Sequence, residues 1–311
     1  MVRSSRFQPE LPPAFPPVPR WVRSSIPAEA ADDARFYAGA VLHGLDPIAR
    51  SEHAVGMLWR QRLALSSAAA LARLQGRGED EAAIRDHVHL VRPGDDPGPA
   101  GRLFQAWREL ARPGALRSEA AAARLGPLLD LDSEVATSVV SEALSAGAGQ
   151  GSPITAAAEA ARASLCSAPR SRALALWIAD AALARRLGWP TPVPLLASQI
   201  KRSDLREAAE PESRVAWVET CYRAYARAGA SAIDLHADLV RRADKLIAVA
   251  PKLRAKDADR TLGRLLSEDA QPAVAGKAAS DRSGRRLFDR LVQLEVVREL
   301  TGRSTFRLYG L

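Results

Sequence analysis

Ser280-Asp281-Arg282-Ser283-Gly284-Arg285-Arg286-Leu287-Phe288-Asp289-Arg290-Leu291-Val292-Gln293-Leu294 is a strongly amphipathic run. Leu287, Leu291 and Leu294 fall on one helical stripe with Phe288 beside it, and Arg282, Arg285, Arg286 and Arg290 lie around the other side. Val296-Val297-Arg298-Glu299-Leu300 follows, then the turn Thr301-Gly302-Arg303-Ser304, then Thr305-Phe306-Arg307-Leu308-Tyr309. Two short runs of β-formers around a glycine turn predict a β-hairpin. A helix is expected just upstream, near residues 258–266. Helix, helix, hairpin is the order of a winged helix, so residues 251–311 are expected to form a winged-helix-like module. The interval before Ser280 is short and leaves a cramped second helix.

Upstream, residues 29–250 read as a multi-helix bundle, which makes the fold class mainly α. Phe36, Ala40, Val41 and Leu45 recur at helical spacing, and Asp46-Pro47 is expected to close that run. A second helix spans about 55–75, with Met57, Leu58, Leu63, Leu65 and Leu71 as candidate core. A third covers 79–91. Pro93-Gly94-Asp95-Asp96-Pro97-Gly98-Pro99 is a turn-rich loop leading to a helix that holds Leu103, Phe104, Trp107 and Leu110. Further helices are predicted at 117–129, 133–146, within 153–187 as a pair, and at 197–208, 211–228 and 233–249. Residues 147–152 form the most flexible internal linker. Residues 1–28 read as an extended arm, because Pro9, Pro12, Pro13, Pro16, Pro17 and Pro19 disfavour helix. Its aromatics Phe7, Phe15 and Trp21 are expected to lie on the parent domain. No repeat of 20 to 50 residues is present, which excludes a solenoid.

The chain has 311 residues, with 47% hydrophobic and 26% charged. That balance excludes wholesale disorder, collagen-like repeats and a polytopic membrane protein. Aromatics are only 5%, and Ala, Leu and Arg dominate, as helices require. Cys166 and Cys221 are the only cysteines and cannot make a disulfide framework, so a reducing, cytoplasmic compartment is expected. No signal peptide and no apolar run of membrane-spanning length is read in the sequence. Net charge is +8, and residues 252–311 alone carry thirteen basic and eight acidic side chains, more than half of that excess. A basic excess favours an anionic partner such as double-stranded DNA.

The run from Ser280 to Val292, together with 297–303 and Phe306-Arg307-Leu308-Tyr309-Gly310-Leu311, resembles the C-terminal signature of a family of uncharacterised alphaproteobacterial proteins. Trp59-Arg60-Gln61-Arg62-Leu63-Ala64-Leu65, Glu79-Asp80-Glu81-Ala82 and 93–101 are similar to the same family. That resemblance covers most of the chain and implies no particular chemistry. A weaker resemblance is to Fic-domain proteins, many of which carry a winged helix after a helical core. It rests on 170–188, Pro194-Leu195-Leu196 and Ile200-Lys201-Arg202. Active Fic enzymes have a loop with a histidine base, an acidic metal ligand and a Gly-Asn-Gly phosphate cradle. The matching residues here, 163–170, have none of these, and no histidine occurs between His89 and His236. The resemblance therefore implies a degenerate core without standard nucleotidyl transfer, acting as a protein–protein adaptor.

The site candidates follow from charge and spacing. Arg282, Arg285, Arg286 and Arg290 would supply donors to phosphates or guanine edges from a recognition helix, and Arg303 would reach phosphate from the wing. Asp281 and Asp289 partly neutralise that face. Asp95 and Asp96 are the best loop candidate in the N-terminal half. They would hold Mg²⁺ or a phosphoryl group, or simply satisfy the free amides of the next helix. His87 and His89 with Asp86 suggest a metal cluster, but i, i+2 spacing diverges on a helix, so no metal is expected. No P-loop, Gly-x-Ser-x-Gly, Gly-x-Gly-x-x-Gly or His-Glu-x-x-His is found. The sequence thus points to a binding protein without cofactor, associated with DNA or a protein partner, rather than to an enzyme.

Overall fold

The computed structural model describes residues 15–26, 29–92, 94–115, 119–146, 148, 151–167, 171–253, 258–273, 281–303 and 306–311, with side chains described except at 119–122, 211 and 281–283. Among them are thirteen α-helices: α1 Arg20–Ser25, α2 Ala31–Arg50, α3 Gly56–Leu74, α4 Glu81–His89, α5 Gly98–Leu110, α6 Glu119–Leu128, α7 Ser133–Ala146, α8 Pro153–Ser167, α9 Arg172–Leu187, α10 Arg202–Glu207, α11 Arg214–Val249, α12 Ala258–Ser267 and α13 Asp281–Gln293. Three short strands, β1 Gln271–Pro272, β2 Arg298–Glu299 and β3 Leu308–Gly310, complete them. The chain is mainly α, and its sheet lies wholly in the last forty-one residues.

The helical part is built on α3 and α9, which are buried over most of their surface. That is why neither shows a clean amphipathic stripe in sequence. Three tryptophans stitch helix to helix through their indole N–H, which must find an acceptor when buried. Trp59 donates to the Ala232 carbonyl at 2.9 Å, Trp177 to Ala106 at 3.1 Å and Trp217 to Ala158 at 2.9 Å. Asp180, fully enclosed on α9, accepts from the Leu195 and Leu196 amides at 2.8 and 3.1 Å and from the Tyr225 hydroxyl at 3.1 Å. These bonds fix the extended Pro-rich segment after α9 against α11. Gly188, in the left-handed region at φ +66°, ends α9, and Trp189 N–H returns to the Ala184 carbonyl.

Several expectations need correction. The two helices predicted at 211–228 and 233–249 are one helix of 36 residues, α11. Gly229 does not break it; a Cβ there would lie 2.7 Å from Val41 Cγ1, so the glycine lets α2 and α11 approach closely. Pro47 does not close α2 either, which runs on to Arg50. Its ring sits in the last turn, where Asp46 accepts from Arg50 and Trp189 and holds the end in place. Phe36 is 62% exposed rather than in the core. The arm is not extended throughout. Residues 15–19 are non-helical, but α1 begins directly after Pro19, where a missing N–H costs nothing. Val18, Val22 and Ile26 are buried against the bundle. Phe15 packs on His236 with ring centroids 5.6 Å apart, and Phe7 lies outside the described residues. Of the linker, Gly151 is held by Arg186, whose guanidinium donates to its carbonyl at 2.7 Å.

The C-terminal strands pair antiparallel in the order β1-β3-β2, with Gln271 opposite Tyr309 and Arg298 opposite Gly310. The predicted hairpin is β2–β3. The third strand, β1, was not legible, because it is two residues long and ends in proline. A cramped second helix before Ser280 would fall on 274–280, outside the described residues.

Candidate nucleic-acid interface

Helix α13 is anchored by Leu287, Phe288 and Leu291, all buried. Phe288 stacks on Tyr309 of β3, with centroids 4.6 Å apart and planes 28° from parallel. Burying three large apolar side chains on one face leaves the opposite face to solvent. Arg285, Arg286 and Arg290 are exposed there, with Asp289 among them. Arg286 and Arg290 have no ion-pair partner among the described residues. The side chain of Arg282 lies outside the described set.

The hairpin is tied down at its turn. Glu299 accepts from the Thr301 amide and hydroxyl at 2.9 and 2.6 Å and from the Gly302 amide at 2.9 Å. Burial pushes this carboxyl up, but those donors prevail and hold it below its ordinary value. Phe306, beyond the turn, is 76% exposed. Arg303 does not reach freely into solvent. Its Nε lies 2.6 Å from Oδ2 of Asp86 on α4, so the segment after β2 is pinned to the helical part.

A second link joins the same two parts. Asp269, ahead of β1, is enclosed completely and lies 2.8 Å from Arg62 Nε and 2.7 Å from Arg85 Nε. Its amide donates to Gln61 Oε1 at 3.1 Å, and Arg62 also donates to the Asp269 and Leu311 backbone oxygens at 3.1 Å. Burial would raise the Asp269 carboxyl, but the guanidinium groups of Arg62 and Arg85 outweigh it and hold the carboxyl below the usual range. The C-terminal segment also shares one continuous apolar core with the helical part. It is therefore carried on a rigid base.

The remaining candidates sit apart from this face. Asp96 accepts the Gly98 amide at 2.9 Å at the start of α5 and lies 2.6 Å from Arg102, which also pairs with Asp130. Both its oxygens are occupied in the manner of a helix-end contact, and Asp95 is exposed beside it. His87 and His89 lie two residues apart on α4. His87 is exposed and His89 is half-buried, and burial pushes the His89 ring down. No group of three metal-ligating side chains occurs among the described residues. Cys166 is exposed and Cys221 buried. No helix among the described residues is long and apolar enough to cross a membrane.

One cluster had no sequence signal. His53, before α3, and His236, on α11, place their Nε2 atoms 3.1 Å apart beside Trp59 and Arg60. The two are 183 positions apart, and no local spacing predicts their meeting.

Residues 11–311 match the family described as "Protein of unknown function (DUF1403)". No curated protein matches the chain.

Proposed function

The chain belongs to DUF1403, a family of unknown function, and from that premise we propose that it is a binding protein, not an enzyme, that associates with double-stranded DNA through its C-terminal winged-helix-like segment. The carrying observation is the exposed Arg285, Arg286 and Arg290 on a helix whose other face is locked onto a β1-β3-β2 sheet. A helix so mounted can enter a major groove as a rigid body. Arginine donors then meet phosphate oxygens or the O6 and N7 edge of guanine. Each phosphate contact releases condensed counterions, so affinity falls with salt.

The supporting test is a gel shift with a random-sequence duplex, comparing wild type with Arg286→Ala/Arg290→Ala. Retarded duplex with wild type and not with the variant supports the reading. Equal retardation removes the helix from it.

A second reading, a protein–protein adaptor, is favoured by one observation. Trp21 and Phe36, 55% and 62% exposed, cluster with Tyr37 in tilted and edge-on contacts on the outer face of α1 and α2. Aromatic groups exposed together are typical of protein-binding surfaces.

A further inference from the structure

A cleft of about 420 Å³ opens between the C-terminal ends of α3 and α6 and the N-terminal ends of α5, α9 and α10. Its floor is apolar: Leu71 and Leu103 are buried, and Leu74 and Leu128 are half-buried. Its rim is polar and carries Ser171, Arg172, Arg202 and Asp130. A cleft of this size with an apolar floor and a few convergent polar groups is a usual form of a small-molecule site.

The charges at the rim do not cancel. Asp130 is already engaged by Arg102, whose Nη2 donates to both its oxygens at 3.0 and 3.1 Å. Arg172 and Arg202 have no ion-pair partner among the described residues, so their two positive charges are left facing the cleft mouth. The N-terminus of α9, sixteen residues long, adds to them. Ser171 stands at the N-cap position of α9 without capping it. It is only 6% exposed, and its Oγ has no hydrogen-bond partner among the described residues. A buried hydroxyl without a partner is costly unless something else supplies one.

We infer that this cleft binds a small molecule with an anionic head and an apolar body, the head held by Arg172, Arg202 and Ser171 at the start of α9 and the body lying on Leu71, Leu74, Leu103 and Leu128. The head is a carboxylate or a phosphate, since both suit a guanidinium pair and a helix N-terminus. This site is separate from the arginine face of α13 and does not depend on it.

Calorimetric titration of the full chain with octanoate, octyl phosphate and 1-octanol tests it. The three probes share the body and differ in the head. One or both anions should bind at least about tenfold tighter than octanol, and the tighter anion identifies the head. Arg172→Gln and Arg202→Gln should each remove about tenfold of that preference, while Arg185→Gln, at the far end of α9, should leave it unchanged. Should Arg172→Gln disturb folding, Arg202→Gln, on an exposed side chain, decides alone. Octanol binding as tightly as the anions, anion affinity unaltered by these substitutions, or no anion binding up to about 1 mM would overturn the inference.

Discussion

Arg303 Nε stands 2.6 Å from Asp86 Oδ2, joining the turn of the C-terminal hairpin to the last turn of α4. Sequence alone suggested a free Arg303; the structure pairs it with Asp86. Its side chain is still 52% exposed, so part of the guanidinium faces solvent while Nε is held.

Asp86→Asn should therefore release Arg303 and remove a negative charge from the wing root. Affinity for a random duplex should rise, and the slope of log K against log salt should steepen by about one contact. Fluorescence anisotropy at several salt concentrations reads both quantities. Weaker binding by Asp86→Asn would show that the wing must be pinned to work.

The Asp269 carboxylate is the buried joint between the C-terminal segment and α3 and α4. Asp269→Asn leaves Arg62 and Arg85 with only the half-exposed Glu81, 3.6 Å from Arg85, as counter-charge, and loss of the buried partner costs about 3–5 kcal/mol. Denaturant melts should show it. The pH dependence has a fixed sign. The folded carboxyl is held below its unfolded value of 3.8, so its contribution is complete above that value and is lost as pH falls through the lower folded one.

The histidine pair acts in a higher window. Burial holds His53 and His236 down to about 4, against 6.5 in the unfolded chain, with Arg60 adding repulsion. Below pH 6.5 the unfolded chain takes up protons that the folded chain refuses. Stability should be level above that pH and fall between 6.5 and about 4, by about 1–2 kcal/mol per ring at pH 5. His236→Gln should make the decline between pH 7 and 5 shallower in urea melts. An unchanged decline would place its origin elsewhere.

Gly229→Ala should destabilise the protein despite alanine's better helix propensity. The propensity gain is about 1 kcal/mol. The new Cβ, however, would meet Val41 Cγ1 at 2.7 Å, and overpacking costs about 1–3 kcal/mol. Val41→Ala/Gly229→Ala should lose less than the sum of the two single changes, as a double-mutant cycle would reveal.

Much of the architecture was legible because it is local. The apolar period of Leu287, Phe288 and Leu291 announces α13 and which face it buries, and Leu103, Phe104, Trp107 and Leu110 do the same for α5. What escaped is non-local. The break expected between residues 228 and 233 disappears once Val41 is placed beside Gly229. Pro47 looks like a stop until Trp189 and Arg50 are seen to hold Asp46. Strand β1 exists only because Leu308 and Tyr309 pair with it. The site shows the same division. The arginines of α13 could be read from spacing, but the Asp86 partner of Arg303 lies more than two hundred residues away, and a lone aspartate in a helix gives no sign of it.

The most direct test of the DNA-binding account is an anisotropy titration of a labelled duplex at two salt concentrations, with wild type and Arg286→Ala/Arg290→Ala. Both arginines are exposed, so thermal melting of the variant should match wild type. The account predicts that wild-type affinity falls steeply with salt, that the variant binds at least about tenfold more weakly at low salt, and that its salt slope is smaller by about two contacts. A variant that melts like wild type and binds the duplex equally well at both salt concentrations would contradict it.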